Sequence, residues 1–424
     1  MVMAQKTWQG DLTAVAHVWK GTFGTSTGGH TYTITLTDEQ TNTHAYTYTV
    51  TGSEGSTTAV AAAFVSAWNA HTAPYINAVT ASNSGAVLTL TGEAGIPLTI
   101  ANTTSSGSWS SAGTTTTGTG PNDWGNAGNW FEGSLPVADD DVDIPAGTSS
   151  ILYNLDSLIG VDFNSFEVHP GYTGTIGGTD GDYLMVDLQT AKTAIFAGTG
   201  TAYIEFRADG DDFDLHVNNT ATPSSVGSYG LYLKGESYDN LYINKGNVGL
   251  GIVPWGADTE VVTIHVGYVS DRQNDVTLTI GEGVRHTGGG SNAPILKQRA
   301  GTVISHDNIG VSEISGGTYI QEKKGTWGAN TEITGDAIVE LNAPPQTGNI
   351  LAFKMDDTAQ VLNEKDTSSK TVDAVTIKAD GVTIRDPNGL LTWNGTTSID
   401  FAGCAMSGTT LDIGRDKKIV ITDS

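Results

Sequence analysis

Two stretches near the N-terminus alternate strictly between apolar and polar positions. In "HTYTITLTD" (30–38) Tyr32, Ile34 and Leu36 share one face; in "HAYTYTVTG" (44–52) Tyr46, Tyr48 and Val50 do. Thr fills most of the opposite face. A period of two predicts a pair of half-buried strands, and the polar "EQTNT" between them suits a hairpin. The period then changes. Within "GSTTAVAAAFVSAWNAHTAP" (55–74) Val60, Phe64 and Trp68 recur every four residues, which predicts a helix with those three as its core face. Ser56 or Thr57 can cap it, and Pro74 is expected to end it. Two further strands are read at 86–92 and 97–103. Residues 14–102 are therefore expected to form a small α+β domain of order β-β-α-β-β, preceded by an N-terminal arm (1–13).

Residues 103–120 are almost all Ser, Thr and Gly, a composition expected of a flexible linker. Beyond them short strands such as "SFEVH", "LYLKG", "LYINKG" and "VVTIHVG" follow one another, many ending directly in Gly, Asn or Asp, with no clear helix between them. A propeller needs four strands per blade at a long regular period; none is evident. A parallel solenoid needs short strands turned by Gly, Asn or Asp, with Val, Ile and Leu stacked inside. The expected fold is mainly β: the small α+β domain, then a parallel β-helix over 121–424.

Charge narrows the partners. The chain has 424 residues and a formal charge of −26, from 20 basic and 46 acidic side chains. Such a balance repels phosphate backbones and anionic lipid, so neither nucleic acid nor membrane is an expected partner. The one cysteine, Cys404, permits no intrachain disulfide. No stretch approaches the roughly 18 apolar residues of a membrane span, and the start has no basic segment followed by an apolar one. Folding in a cytoplasm is the expectation; a secretion signal lost by truncation is the alternative.

The stretch at 121–145, "PNDWGNAGNWFEGSLPVADDDVDIP", stands where a β-helix would begin. The first coil of a solenoid has no neighbour on one side and must be covered. Trp124, Trp130 and Phe131 are large enough to cover it, while Gly133 and Pro136 turn the chain. "DVDIP" reads as a first strand with Val142 and Ile144 inward. This stretch resembles the segment W-x-x-x-x-N-W-x-x-G-x-x-P-x-x-x-D-x-V-x-I at the start of β-helical bacterial surface and phage proteins, matched here by Trp124, Asn129, Trp130, Gly133, Pro136, Asp140, Val142 and Ile144. The two strands, alanine-rich helix and second strand pair of the first domain are similar to a small domain of tailed-phage virion proteins. The two resemblances cover roughly residues 14–145 and imply architecture rather than chemistry.

Candidate chemistry is sparse. Pectinase-like β-helix hydrolases place several Asp, a Gly-His-Gly and an Arg-x-Lys on adjacent coils. Here Asp-Asp occurs at 211–212 and 356–357, Gly-His-Gly is missing, and the one Arg-x-Lys, Arg415 and Lys417, falls in the last expected coil. Paired carboxylates can cleave glycosides, but among 46 acids solvated turn carboxylates are the simpler reading. Asp209, Asp211, Asp212 and Asp214, and likewise Asp139, Asp140, Asp141 and Asp143, could present oxygen to calcium; the complete loop with its terminal Glu is absent, and acidic turns explain both. The nine His form no metal signature, and Cys404 lies in an apolar strand-and-turn context that fits a buried inert thiol. Tyr229, Tyr232, Tyr238 and Tyr242 could line a glycan platform, although alternation puts some of them in the core.

The resemblances imply a structural virion protein of a tailed phage: a capsid decoration or cement protein, displayed on the virion surface after assembly in the host cytoplasm. No enzymatic activity, cofactor or metal is expected. Expected partners are other virion proteins, either the major capsid protein or copies of the chain itself as a homo-oligomer. Two alternatives stay open: a tail fibre or tailspike that binds or cleaves host surface glycans, and a bacterial surface adhesin.

Overall fold

The structure is a computed structural model. It describes residues 4–38, 42–105, 108–178, 181–208, 213–223, 225, 228–235, 238–252, 259–268, 276–282, 284–285, 293–310, 312–322, 327, 331–342, 350–365, 370–378, 382–386, 390–393, 397–400 and 410–412. The chain is mainly β and divides into two compact units. One joins Thr7–Leu135 to Ser149–Ser157; the other joins Met1–Lys6, Pro136–Thr148 and Leu158–Ser424.

After the short β1 (Gln5–Thr7) come β2 (Ala16–Phe23), β3 (Thr31–Thr37), β4 (Thr43–Thr49), α1 (Thr57–Asn69), α2 (Pro74–Asn77), β5 (Thr80–Ser84), β6 (Val87–Ala94), β7 (Thr99–Thr104) and β8 (Trp109–Thr116). Strands β3 and β4 form the antiparallel hairpin that alternation predicts, with Tyr32 opposite Tyr48 and Ile34 opposite Tyr46. They build a three-stranded sheet of order β4-β3-β7, beside a four-stranded sheet of order β5-β6-β2-β8. Val60, Phe64 and Trp68 of α1 are fully buried in the core with Trp19, Phe23, Tyr32 and Ile34. The Ser56 hydroxyl caps α1 by accepting from the Ala59 amide at 3.2 Å.

Four expectations about this unit need correction. Pro74 does not end α1, which stops at Asn69; it opens α2, where its fixed φ and missing N–H cost nothing. The Ser/Thr/Gly run is not a linker, because Trp109–Thr116 pairs antiparallel with β2. Its anchor is Trp109, whose ring packs against Trp19, Phe23 and Tyr32 at 5.4, 4.7 and 5.0 Å between centroids. Nor are the described residues of the expected N-terminal arm, 4–13, an arm. Trp8 is 2% exposed, and the boundary expected at 121 lies at Leu135.

In the second unit come β9 (Asp141–Ile144), β10 (Phe163–Val168), β11 (Leu184–Phe196), β12 (Ala202–Ala208), β13 (Phe213–Asn218), β14 (Leu231–Gly235), β15 (Tyr238–Leu250), β16 (Thr259–Val266) and β17 (Val276–Ile280), followed by shorter strands to Thr410–Asp412. Its strands join one sheet that closes on itself. The pairing is parallel, and many strands bond the strand two places along the chain, as β11 bonds β13 and β13 bonds β15. Register stacks like on like. Val142, Phe166, Ala194, Leu215, Leu241, Ile264 and Leu296 form one continuous buried column. Each large aliphatic or aromatic member is worth about 1.5–3 kcal/mol of burial.

Buried amides fasten the turns of this unit. Asn219 Nδ2 donates to the Gly198 carbonyl at 2.9 Å while its Oδ1 accepts from the Ala221 amide at 3.0 Å. Gln298 Nε2 donates to the carbonyls of Gly301 and Thr318 at 3.1 and 3.0 Å. Gly246 shows why glycine recurs here: its φ is +107°, and a Cβ would lie 2.1 Å from the Asn219 carbonyl oxygen.

Candidate functional site

The tryptophans of the 121–145 stretch do come together. Trp124 and Trp130 are buried with ring centroids 4.6 Å apart, and Trp8 joins them at 5.6 and 5.5 Å. Between them sits Asn129, fully buried, whose Nδ2 donates to the carbonyls of Gly120 and Asp123 at 2.8 and 2.9 Å. Its Oδ1 accepts from the Leu12 amide at 3.2 Å. Asp123 accepts from Asn154 Nδ2 at 2.7 Å and from the Gly125 amide at 3.0 Å; burial raises its carboxyl above the usual range. Phe131 departs from expectation: it is 70% exposed. Trp130 bridges Trp8 as in an antiparallel strand, so the next side chain must point the other way. Gly133 takes a φ of +65° and Pro136 is buried. These contacts tie the segment to Leu12, Gly120 and Asn154.

Asp140, Asp141 and Asp143 are likewise engaged within the fold. Asp140 Oδ2 accepts from the Val137 amide at 2.9 Å, and Asp141 Oδ1 accepts from Asn164 Nδ2 and Ser165 Oγ at 2.6 and 2.7 Å. Asp143 pairs with His169 at 2.5 Å. Asp357 Oδ2 accepts from the Gly335 amide at 3.0 Å, and Asp356 Oδ1 from the Asp357 amide at 2.8 Å. Among the described residues no three metal-ligating side chains converge. Asp209, Asp211, Asp212, Cys404, Arg415 and Lys417 lie outside the described residues.

Of the four tyrosines, Tyr238 belongs to the core, fully buried. Tyr232 stacks flat on Tyr203 at 4.3 Å, with Tyr229 edge-on at 5.2 Å. Tyr242 stands in a second stack between His216 and His265, 4.5 and 4.4 Å from each. These rings occupy successive register positions, His216 opposite Tyr242 opposite His265. A sugar packs on an aromatic face; Tyr242 is covered on both faces by His216 and His265, and Tyr232 on one face by Tyr203. Burial, with Lys297 adding to it, lowers His265 to about 4, and its Nε2 lies 3.1 Å from Asn240 Oδ1.

The surface that remains is in the first unit. On β3, β4 and β7 the face opposite the core carries Thr31, Thr33, Thr35 and Thr37, then Thr43, Ala45, Thr47 and Thr49, then Thr99, Ala101 and Thr103. Thr33 and Thr47 bond each other across the strands at 2.8 Å. The charge is as uneven as the shape is regular. From Gly21 to Asn122 the chain holds Asp38, Glu39, Glu54 and Glu93 and no Lys or Arg, so most of the −26 lies elsewhere. A cavity of about 200 Å³ adjoins this domain's core, lined by Leu36, His44, Tyr75, Val79 and Leu98 among others; there His44 stacks on Tyr75 at 3.9 Å and meets Asp38 at 3.3 Å.

Sequence reasoning missed Trp8 and the turn amides Asn219 and Gln298. Nothing local marks them, because each acts through a partner distant in the chain. The signal for the threonine face was present in the alternation itself. No described protein family matches the chain, nor does any curated protein or solved structure.

Proposed function

We propose that this chain is a structural virion protein of a tailed phage, a capsid decoration protein that attaches through the threonine face of its N-terminal unit. The observation that carries the proposal is the three-stranded Thr/Ala face with no charged side chain on it. Burying such a face against a protein partner desolvates hydroxyls and methyls rather than ions, and β-branched side chains lose little rotamer entropy there. The acidic remainder suits exposure to solvent and resists close packing of copies.

The finer reading of the second unit is a parallel β-helix. Its support is the register: Glu332, Lys354, Thr376 and Ser398 are successive partners, 22 residues apart at each step. Repeated spacing, parallel pairing, buried columns and amide-fastened turns are what stacked coils require. In this reading Pro136–Thr148, which holds β9, starts the coil, while Trp124 and Trp130 belong to the first unit. No catalytic role is proposed, because the candidate carboxylates Asp140, Asp141, Asp143, Asp356 and Asp357 are each bonded or paired within the fold. The tail-fibre reading draws on the tyrosines, but their stacked faces leave little for a sugar.

Particles lacking this protein test the proposal. Full-length chain should bind them; the Thr33→Glu/Thr47→Glu variant should fold with an unchanged circular dichroism spectrum and bind at least tenfold more weakly. Undiminished binding by that variant would exclude the threonine face as the attachment surface.

A further inference from the structure

The first unit has four edge strands: β4 and β7 in one sheet, β5 and β8 in the other. An edge strand presents unpaired amides and carbonyls, and proteins ordinarily block it with charge, Pro or a covering group. Edge β5 is blocked. The Asn69 side chain, reaching from α1, accepts from the Ala81 amide at 3.0 Å and donates to the Ala81 carbonyl at 2.9 Å, as a neighbouring strand would. Edge β4 has Asp38 near one end and Glu54 near the other. Edge β7, six residues long, is uncharged, and edge β8 has no charge or Pro either, nor a covering group among the described residues. At eight residues it is the longest of the four, and from Ser110 to Thr116 every residue is exposed.

The sequence of β8, "WSSAGTTT", has neither charge nor Pro, and no Asp, Glu, Lys or Arg occurs from Ala94 to Asn122. Its register with β2 shifts only near the ends. The middle, Ser111–Thr114, runs opposite Trp19–Thr22 without a break. An exposed, uncharged strand with an unbroken middle is therefore paired on its inner side and left open on its outer side.

We propose that β8 pairs with β8 of a second copy of this chain, making one continuous sheet across two subunits. Charge selects the occupant. Two chains of −26 each repel wherever acidic surfaces meet, and β8 is a place where copies can approach with no like charges opposed. An antiparallel two-fold pairing also sets Ser and Thr against Ser and Thr, which cross-strand hydroxyl pairs favour. The pairing deepens the association role given above to the first unit. It uses an edge rather than the threonine face, so the two can fail separately.

The test uses full-length protein with Ala112→Asp, an exposed position at the centre of β8, and Ala112→Lys. By light scattering, wild type should have twice the chain mass at tens of micromolar and halve on dilution. Each variant alone should have the single-chain mass, and an equimolar mixture should recover the doubled mass, since Asp then faces Lys. Hydrogen exchange guards against a folding artefact: in wild type the 109–116 amides should gain protection as concentration rises, with other strands unchanged. A wild type of single-chain mass at all concentrations, or variants that keep the doubled mass, would overturn the pairing. A single-chain Ala112→Asp that still binds particles separates this proposal from attachment. A wild type that pairs but binds no particle would sink the attachment reading and leave the pairing standing.

Discussion

At the scale of residues, buried rings and buried titratable groups set the energetics. Trp8, Trp124 and Trp130 enclose one another, so Trp8→Ala should cost about as much as Trp130→Ala, ~3–5 kcal/mol each. Because the rings touch, the double variant should lose less than the sum. Phe131→Ala should stay within about 0.5 kcal/mol, since that ring is exposed. Urea denaturation of the four proteins decides this; a costly Phe131→Ala would contradict the geometry. His265 gives a pH signature. Its folded-state value of about 4 lies below the ordinary 6.5, so the unfolded chain binds the extra proton first as pH falls. Its contribution is complete above pH 6.5 and is lost between 6.5 and 4, at up to about 1.4 kcal/mol per pH unit. Wild type should therefore lose more melting temperature from pH 7 to pH 5 than His265→Gln does. Equal losses would show that His265 titrates normally.

At the scale of elements, legibility followed locality. The hairpin β3–β4 and helix α1 could be read because alternation and four-residue spacing are properties of a short window. Val142 and Ile144 of β9 could be read for the same reason. What could not be read was any element whose stability comes from distant chain. Strand β8 looks like a linker because Ser, Thr and Gly carry no periodic apolar signal; its order comes from β2 and from Trp109 in the core. The first turn of the chain looks like an arm because the partners of Trp8 lie more than 100 residues on. The parallel pairing of the second unit was visible only as a style of short strands, since register depends on the chain length between paired strands, which varies from pair to pair. The tyrosines show the limit of a face assignment: alternation separates Tyr238, inward, from Tyr242, outward, yet cannot say that an outward ring will be covered by its register neighbours.

At the scale of the whole molecule, charge and surface regularity are divided along the chain, and the division makes a prediction that separates two ways of attaching. Residues 21–122 hold four acids and no Lys or Arg, while the full chain carries −26. If the threonine face makes the contact, few ions are opposed or released on binding, and attachment should barely respond to salt. If the acidic remainder made the contact, it would need a basic partner, and screening would weaken it steeply, because the Debye length falls from about 10 Å at 0.1 M to about 3 Å at 1 M. Binding of full-length protein to particles lacking it should therefore change less than about threefold between 0.05 and 0.5 M sodium chloride. Sulfate should strengthen it, since excluded salts favour burial of weakly polar surface. A loss of tenfold or more across the chloride series would assign attachment to the acidic unit and reverse the roles of the two halves.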